Sequence, residues 1–390
     1  MESWNRQEVA DRYRSALLND VVPFWMKFSP DHESGGYFTC LDRRGEVYDT
    51  DKFVWLQGRE IWMFSHLYNN VEKRTEWLYM ALSGAGFLEK FGRDPEGNFY
   101  FSLTRDGKPL VYPYNIFSDC FAVMAFGELF KATGTSRYGD IAHSTFKNIL
   151  KRTENPKGQW SKSVPGTRPL KGFSLPMILS NLSGLIAHLL DREMVERIEE
   201  DCIHEVMEVF YNQEHGLILE NVSPDGSFSD SFEGRLLNPG HAIEAMWFMM
   251  DLAERRDDSD LTRRAVEITL RTLDKGWDRE YGGIYYFLDL KGYPPQQLEW
   301  DQKLWWVHIE TLISLAKGYR MTGDQRCLDW FRTVDSWTWS HFPDPEYGEW
   351  FGYLNRRGEV LLPLKGGKWK GCFHVPRGLL QVWNAFREAD

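Results

Sequence analysis

Apolar positions recur along the chain at the three- and four-residue spacing of amphipathic helices, in segments that come in pairs. One set covers 55–68, 117–132, 175–190, 241–253, 304–319 and 374–386. A second set follows it, for example at 75–91, 141–150, 192–210 and 261–275. Between pairs an acidic or amide turn closes on Gly35, Gly97, Gly158, Gly216, Gly282 and Gly348, at intervals of 62, 61, 58, 66 and 66 residues. After each comes a short strand-like stretch, such as Tyr37-Phe-Thr-Cys40 or Ile284-Tyr-Tyr-Phe287. A second turn then closes on Gly45, Gly107, Gly166, Gly226, Gly292 or Gly358, with Pro165-Gly166 as its third version. Five of these glycines lie ten residues beyond the first and the third lies eight beyond, a regularity that marks an internal repeat.

The unit is a helix, a turn with a small hairpin, and another helix, repeated six times. No such unit buries its apolar face alone, so neighbours must stack. The pattern predicts an all-α fold, an (α/α)6 barrel in which six inner helices surround a cavity, six outer helices enclose them, and short β-hairpins rim one end. Residues 1–390 are expected to form one catalytic domain, since no proline-rich, serine-rich or charged linker divides them. An open superhelical stack fits the same periodicity. Closure is favoured because six is the count of closed α/α toroids, and because the inner-helix starts carry the most unusual polar residues.

Composition narrows the function. With 42% hydrophobic and 26% charged residues in 390, the chain is that of a globular protein with a large core. Lys and Arg number 46 against 57 Asp and Glu, a net charge of −11 that opposes binding to nucleic-acid phosphates or anionic lipid. The start, Met1 to Glu8, lacks the basic and apolar regions of a secretory signal. The most apolar window, Ala245 to Met250, is interrupted by Glu244 and Asp251, far short of the roughly 20 residues that span a bilayer. Cys40, Cys120, Cys202, Cys327 and Cys372 are odd in number and scattered, without a C-x-x-C pair. The expectation is a soluble cytoplasmic protein with reduced thiols. Aromatics make up 15%, by default for packing, otherwise for stacking on sugars.

Candidate chemistry sits at the inner-helix starts. Counted from the second glycine of each unit, Arg59 falls at +14, His241 at +15, and His308 and His374 at +16, while Asn115 and Asp119 occupy that zone of the second unit. Equivalent positions in a closed ring face one cavity. His241 and Glu244 are spaced i, i+3 on one helical face, as an imidazole with its orienting carboxylate or as a surface ion pair. His308 and Glu310, two apart, cannot both face inward, and spacing leaves open which one does. No H-E-x-x-H, Cys/His cluster or G-x-S-x-G is present, so neither a metal site nor a serine nucleophile is expected. Two imidazoles with a guanidinium and carboxylates suit proton abstraction beside a carbonyl: one base, one conjugate acid, and a cation for the developing enolate oxygen.

The segments Asp51-Lys-Phe-Val-Trp-Leu-Gln57, Asn238-Pro-Gly-His-Ala-Ile-Glu-Ala-Met-Trp-Phe248, Gln297-Leu-Glu-Trp-Asp-Gln-Lys-Leu-Trp-Trp-Val-His308 and Lys365-Gly-Gly-Lys-Trp-Lys-Gly-Cys-Phe-His-Val-Pro-Arg377 resemble the N-acylglucosamine 2-epimerase family. The likeness runs from about Leu17 to Phe386 and is nearest the bacterial-type enzymes, rather than the cellobiose 2-epimerase or mannose isomerase branches. It implies an (α/α)6 barrel and reversible interconversion of N-acetyl-D-glucosamine and N-acetyl-D-mannosamine through ring opening, C2 deprotonation to an enediolate and reprotonation on the opposite face. The catalytic set it implies is Arg59, His241, Glu310 and His374, with Glu244 orienting His241 and His308 behind the site. Asn115 and Trp306 are substrate-binding candidates by position. The resemblance also implies a homodimer and ATP as an activator that is not consumed. Lys365, Lys368 and Lys370 are weak candidates for its phosphates, since their run departs from G-x-x-x-x-G-K-[ST].

Three rivals remain at this stage. A glycoside hydrolase on the same toroid would draw a carboxylate pair from Asp119, Glu244 and Glu310. An aldose-ketose isomerase would return the proton to C1. A sugar- or protein-binding module would use the tryptophans alone.

Overall fold

The structure is a computed structural model that describes residues 5–162, 164 and 166–387. Met1 to Trp4 and Pro165 of the third second-turn lie outside the described residues. Thirteen α-helices follow one another among the described residues: α1 Arg6–Ala16, α2 Val22–Phe28, α3 Val54–Asn70, α4 Thr75–Phe91, α5 Phe117–Thr133, α6 Ser136–Lys151, α7 Ser174–Leu185, α8 Arg192–His204, α9 Pro239–Arg256, α10 Ser259–Gly276, α11 Trp305–Thr322, α12 Gln325–His341 and α13 His374–Phe386. The odd-numbered helices from α3 to α13 form the inner ring, and the even-numbered helices from α4 to α12 with the N-terminal α1 form the outer one.

Burial separates the two layers. In α5 every residue from Ser118 to Leu129 is buried, because an inner helix meets neighbours on both sides, an outer helix behind and the cavity in front. Outer α10 buries one stripe through Leu261, Ala265, Ile268 and Leu273 and turns Arg271 to solvent. Local signals set the ends. Asn238 caps α9 by accepting from the His241 backbone N–H at 3.2 Å, and Pro239 fills the first helical position. The helix therefore begins before the periodic segment at 241. Two expectations shift: α7 stops at Leu185 and tightens into a 3-10 turn over Ala187–Leu189, and the strand-like stretches at 37–40 and 284–287 shrink to single bridges. The sixfold repeat calls for an outer helix where α12 lies but the sequence pattern gave it no bounds, and it did not point to α1. The α12 stripe of Cys327, Phe331, Val334 and Thr338 is thin among charged residues.

Short β-pairings tie most units to the next. Lys52–Phe53, ahead of α3, pairs antiparallel with Ser102–Leu103 of the following hairpin, and Lys303–Leu304 pairs with Tyr353–Leu354 in the same way. The rule recurs across the chain ends, where Leu364 bridges Asp42 and the Lys365 N–H donates to Leu41 O at 3.0 Å. Ion pairs repeat it. Buried Asp31 binds Lys52 at 2.9 Å and Arg105 at 2.9 Å. Asp278 binds Lys303 at 3.1 Å and Arg356 at 2.9 Å, and Asp344 binds Lys365 at 2.9 Å and Arg43 at 2.8 Å. Burial would raise these aspartates, yet the cations outweigh it and hold all three well below the usual carboxylate range. The last clasp joins the sixth unit to the first, so the stack is a closed ring rather than an open superhelix. The five cysteines are buried and unpaired, and no helix among the described residues is long and apolar enough to cross a membrane.

Candidate active site

The first turns of all six inner helices line one cavity of about 610 Å³. A groove of 790 Å³ lies outside the ring between α10 and α12, lined by exposed ion pairs such as Arg271–Glu267, and holds none of the converging residues.

His374, the first residue of α13, bonds through Nδ1 to Glu310 Oε1 at 2.7 Å. Glu310 Oε2 accepts from Trp247 Nε1 at 2.8 Å, and Arg377 Nη2 donates to Glu310 and to Glu244, each at 2.6 Å. All these groups are buried. A carboxylate on Nδ1 fixes that nitrogen as the donor, which leaves the Nε2 lone pair of His374 for the cavity. Burial and the cations Arg59 and Arg377 hold His374 well below the ordinary histidine range, hence neutral.

His241 is held differently. Its Nδ1 faces both Glu220 oxygens at 3.1 Å, and its ring is 29% exposed, which opens it to the cavity. Burial opposes its charge, but Glu220 and then Glu244 outweigh that and raise it above the ordinary range. Trp306 flanks both imidazoles, 5.3 Å from His241 and 5.9 Å from His374 between ring centres. Arg59 is packed against the Trp55, Phe121 and Phe373 rings at 4.5, 4.1 and 4.8 Å, and its buried Nε has no partner among the described residues. Burial pulls it down to about 9, so it stays cationic at neutral pH.

Of the residues singled out from sequence, Arg59, His241, Glu244, His374, Asn115 and Trp306 line the cavity, and Glu310 stands directly behind His374. Asn115 is partly engaged elsewhere: its Oδ1 accepts the Phe117 N–H at 3.0 Å where α5 begins. His308 points away. It bonds through Nδ1 to Leu304 O at 2.7 Å and accepts the Ile284 N–H at 3.0 Å on Nε2, with burial pushing it down to about 3. It is a fully paired neutral imidazole that anchors the hairpin.

Two assignments need correction. Glu244 does not orient His241, because its Oε1 is bonded to Arg377, and Glu220 takes that place. Lys365 and Lys370 do not form a phosphate site. Both are buried and ion-paired, Lys365 to Asp344 and Lys370 to Glu349, and only Lys368 is exposed. Sequence reasoning gave no role to Glu220, Arg377 or Trp247. Arg377 carries the same i, i+3 signal relative to His374 as Glu244 does to His241, and Glu220 is a lone acid in the apolar run Leu217 to Val222. Glu244, Glu310 and His374 bring ligand atoms within 4.8 Å of one another, but the Arg377 guanidinium is bonded to both carboxylates, which makes the cluster a poor cation site.

A ring of helical hairpins closed around one cavity, with two carboxylate-held imidazoles on its wall, is the architecture of an (α/α)6 barrel. The chain belongs to the N-acylglucosamine 2-epimerase (GlcNAc 2-epimerase) family, whose sequence profile matches residues 36–375. It is 43% identical over 371 residues to the N-acylglucosamine 2-epimerase of Rattus norvegicus, covering 93% of this chain and 88% of that protein. The Homo sapiens N-acylglucosamine 2-epimerase is 40% identical, with 93% and 86% covered. The cellobiose 2-epimerase structure from Bacillus thermoamylovorans superposes with a TM-score of 0.82 over 97% of this chain and 99% of that one, at 19% identity, and speaks to the fold alone.

Proposed function

We propose that the whole chain acts as one catalytic domain that interconverts N-acetyl-D-glucosamine and N-acetyl-D-mannosamine at C2, with His241 and His374 as the two proton carriers. The observation that carries this reading is the pair of opposite protonation biases: a neutral His374 and a charge-favouring His241 at one cavity. The sugar ring opens and the C1 aldehyde acidifies the C2 proton. His374 Nε2 takes that proton and the electron pair moves to the C1 oxygen, where Arg59 faces the developing charge. Since C2 carries nitrogen, the intermediate is an enolate rather than an enediolate. His241 then delivers its proton to the other face of C2. The reverse reaction starts with the proton on His374, so both directions draw on the same total protonation of the pair.

Nucleotide activation and a homodimer enter this proposal through the family resemblance and a cytoplasmic location through the scattered cysteines, and the paired Lys365 and Lys370 lend the first no support. The test is proton NMR of N-acetyl-D-mannosamine with the protein in D2O, with and without ATP. N-acetyl-D-glucosamine bearing deuterium at C2 is the expected product. A ketose, or a product with C2 hydrogen retained from the substrate, contradicts the proposal.

A further inference from the structure

The carboxylate behind His374 is held unevenly. Glu310 Oε1 receives both His374 Nδ1, at 2.7 Å, and Arg377 Nη2, at 2.6 Å, while Oε2 takes one hydrogen bond among the described residues, from the indole N–H of Trp247 at 2.8 Å. The last torsion of a glutamate is soft, so bonds on one oxygen leave the carboxylate free to pivot about it. The Trp247 bond on the second oxygen takes that freedom away. Glu220 has no such need, because both of its oxygens face His241 Nδ1 at 3.1 Å.

Trp247 is itself fixed. It is buried on α9, with Lys317 Nζ 4.7 Å and the Arg377 guanidinium 5.1 Å from its ring. Lys317, two turns beyond Glu310 on α11, is ion-paired to Asp251, one turn beyond Trp247 on α9. Two rungs thus join the helices, Trp247–Glu310 and Asp251–Lys317. The need of an indole for a partner does not explain the upper rung, because the N–H groups of Trp25, Trp55, Trp62, Trp305, Trp339 and Trp350 are buried with no partner among the described residues. We infer that Trp247 is a positioning residue whose N–H fixes the plane of the Glu310 carboxylate, and through it the direction in which His374 Nε2 points into the cavity.

The inference rests on the 2-epimerase reading, and Trp247→Phe tests it by keeping a ring in the slot while removing the N–H. kcat is expected to fall about tenfold with KM within about twofold, since misdirecting the reacting atom costs rate rather than binding. Glu310, short of one donor, bears harder on His374 Nδ1–H and favours the charged ring. His374 is faced by Arg59 of α3, His241 and Glu244 of α9, Glu310 of α11 and Arg377 of its own helix, and the substitution alters none of these charges. The acid limb of kcat/KM therefore moves to higher pH while the alkaline limb stays, and an NMR titration of His374 reads the same shift without turnover. Trp247→His is the rescue. Its five-membered ring superposes on that of indole with Nε2 in place of Nε1, so kcat returns to within about threefold of wild type although the smaller ring packs less well than phenylalanine. Circular dichroism checks the folding of both variants. A loss in Trp247→His equal to or greater than that in Trp247→Phe assigns the indole to packing and overturns the inference, as does movement of both pH limbs together. Wild-type turnover with kcat unchanged in Trp247→Phe overturns this inference only. No turnover by the wild type overturns the epimerase reading, and an unmoved His374 titration in Trp247→Phe overturns the positioning role with or without turnover.

Discussion

His241 and His374 occupy equivalent places at the starts of two inner helices, yet their surroundings push them in opposite directions. His374 packs against Trp306 and Phe373, faces two guanidinia, and shares Glu310 with Arg377 and Trp247. His241 is more open, and its Nδ1 has Glu220, a carboxylate with no competing cation bonded to it among the described residues, so charge on the ring is favoured. Repetition supplies the position of each imidazole. The residues that break the repetition supply its protonation state. Glu310 reaches His374 from the neighbouring inner helix, whereas Glu220 reaches His241 from a rim hairpin.

The strongest way to break this comparison is to remove either imidazole. His374→Asn and His241→Asn are each expected to lower kcat for epimerisation by about 10²–10⁴-fold in both directions, measured by steady-state kinetics. If one variant keeps near-full activity, the two arms are not partners. Glu310→Gln comes next. It takes the carboxylate from His374 Nδ1–H and leaves Arg377 with Glu244 alone, for an expected loss in kcat of about 10²-fold and a mixed His374 tautomer by 15N NMR.

Glu220→Gln separates the arms by pH. On the proposed mechanism the active form has His374 neutral and His241 charged, so kcat/KM is expected to fall on the acid side as His374 protonates, below the ordinary histidine value. It falls on the alkaline side as His241 deprotonates, above that value. Removing Glu220 leaves burial to oppose the charge on His241. The alkaline limb is then expected to move to lower pH while the acid limb holds, with roughly a tenfold loss in kcat at neutral pH. Movement of both limbs together contradicts separate carboxylate control. The smallest effect is at Lys368: Lys368→Ala, at the exposed lysine of the basic run, is expected to stay within about twofold of wild type in kcat, which confines the large effects to the two arms.

The ring was legible in the glycine spacing because each Gly at a second turn answers a backbone need. Gly45 and Gly107 hold φ of 86° and 89°, and a Cβ at either would strike Phe28 or Phe91. The inner-helix starts were legible for the same reason, since equal offsets place equal side chains. The partner of His241 was not. Glu220 lies between the two-residue strands Leu217–Ile218 and Asn221–Val222, whose placement depends on tertiary contacts, while the i, i+3 spacing of Glu244 offered a nearer carboxylate that Arg377 in fact takes. The lysines misled in a similar way. A basic run of 365–370 reads as a solvated cation patch, but the ring-closing contacts bury two of its three amines against Asp344 and Glu349. Spacing likewise left His308 and Glu310 undecided, and the backbone bonds at both nitrogens of His308 explain why it is buried facing away from the cavity.

The division of labour between the two imidazoles is tested most directly by hydrogen exchange without turnover. His241→Asn and His374→Asn would each be incubated with the separate epimers in D2O, and loss of the C2 proton signal followed by NMR. The account expects each variant to exchange C2 hydrogen in one epimer only, a different one for each variant, while neither interconverts the two. Exchange of the same epimer by both variants, or of both epimers by one, would contradict a base on each face of C2.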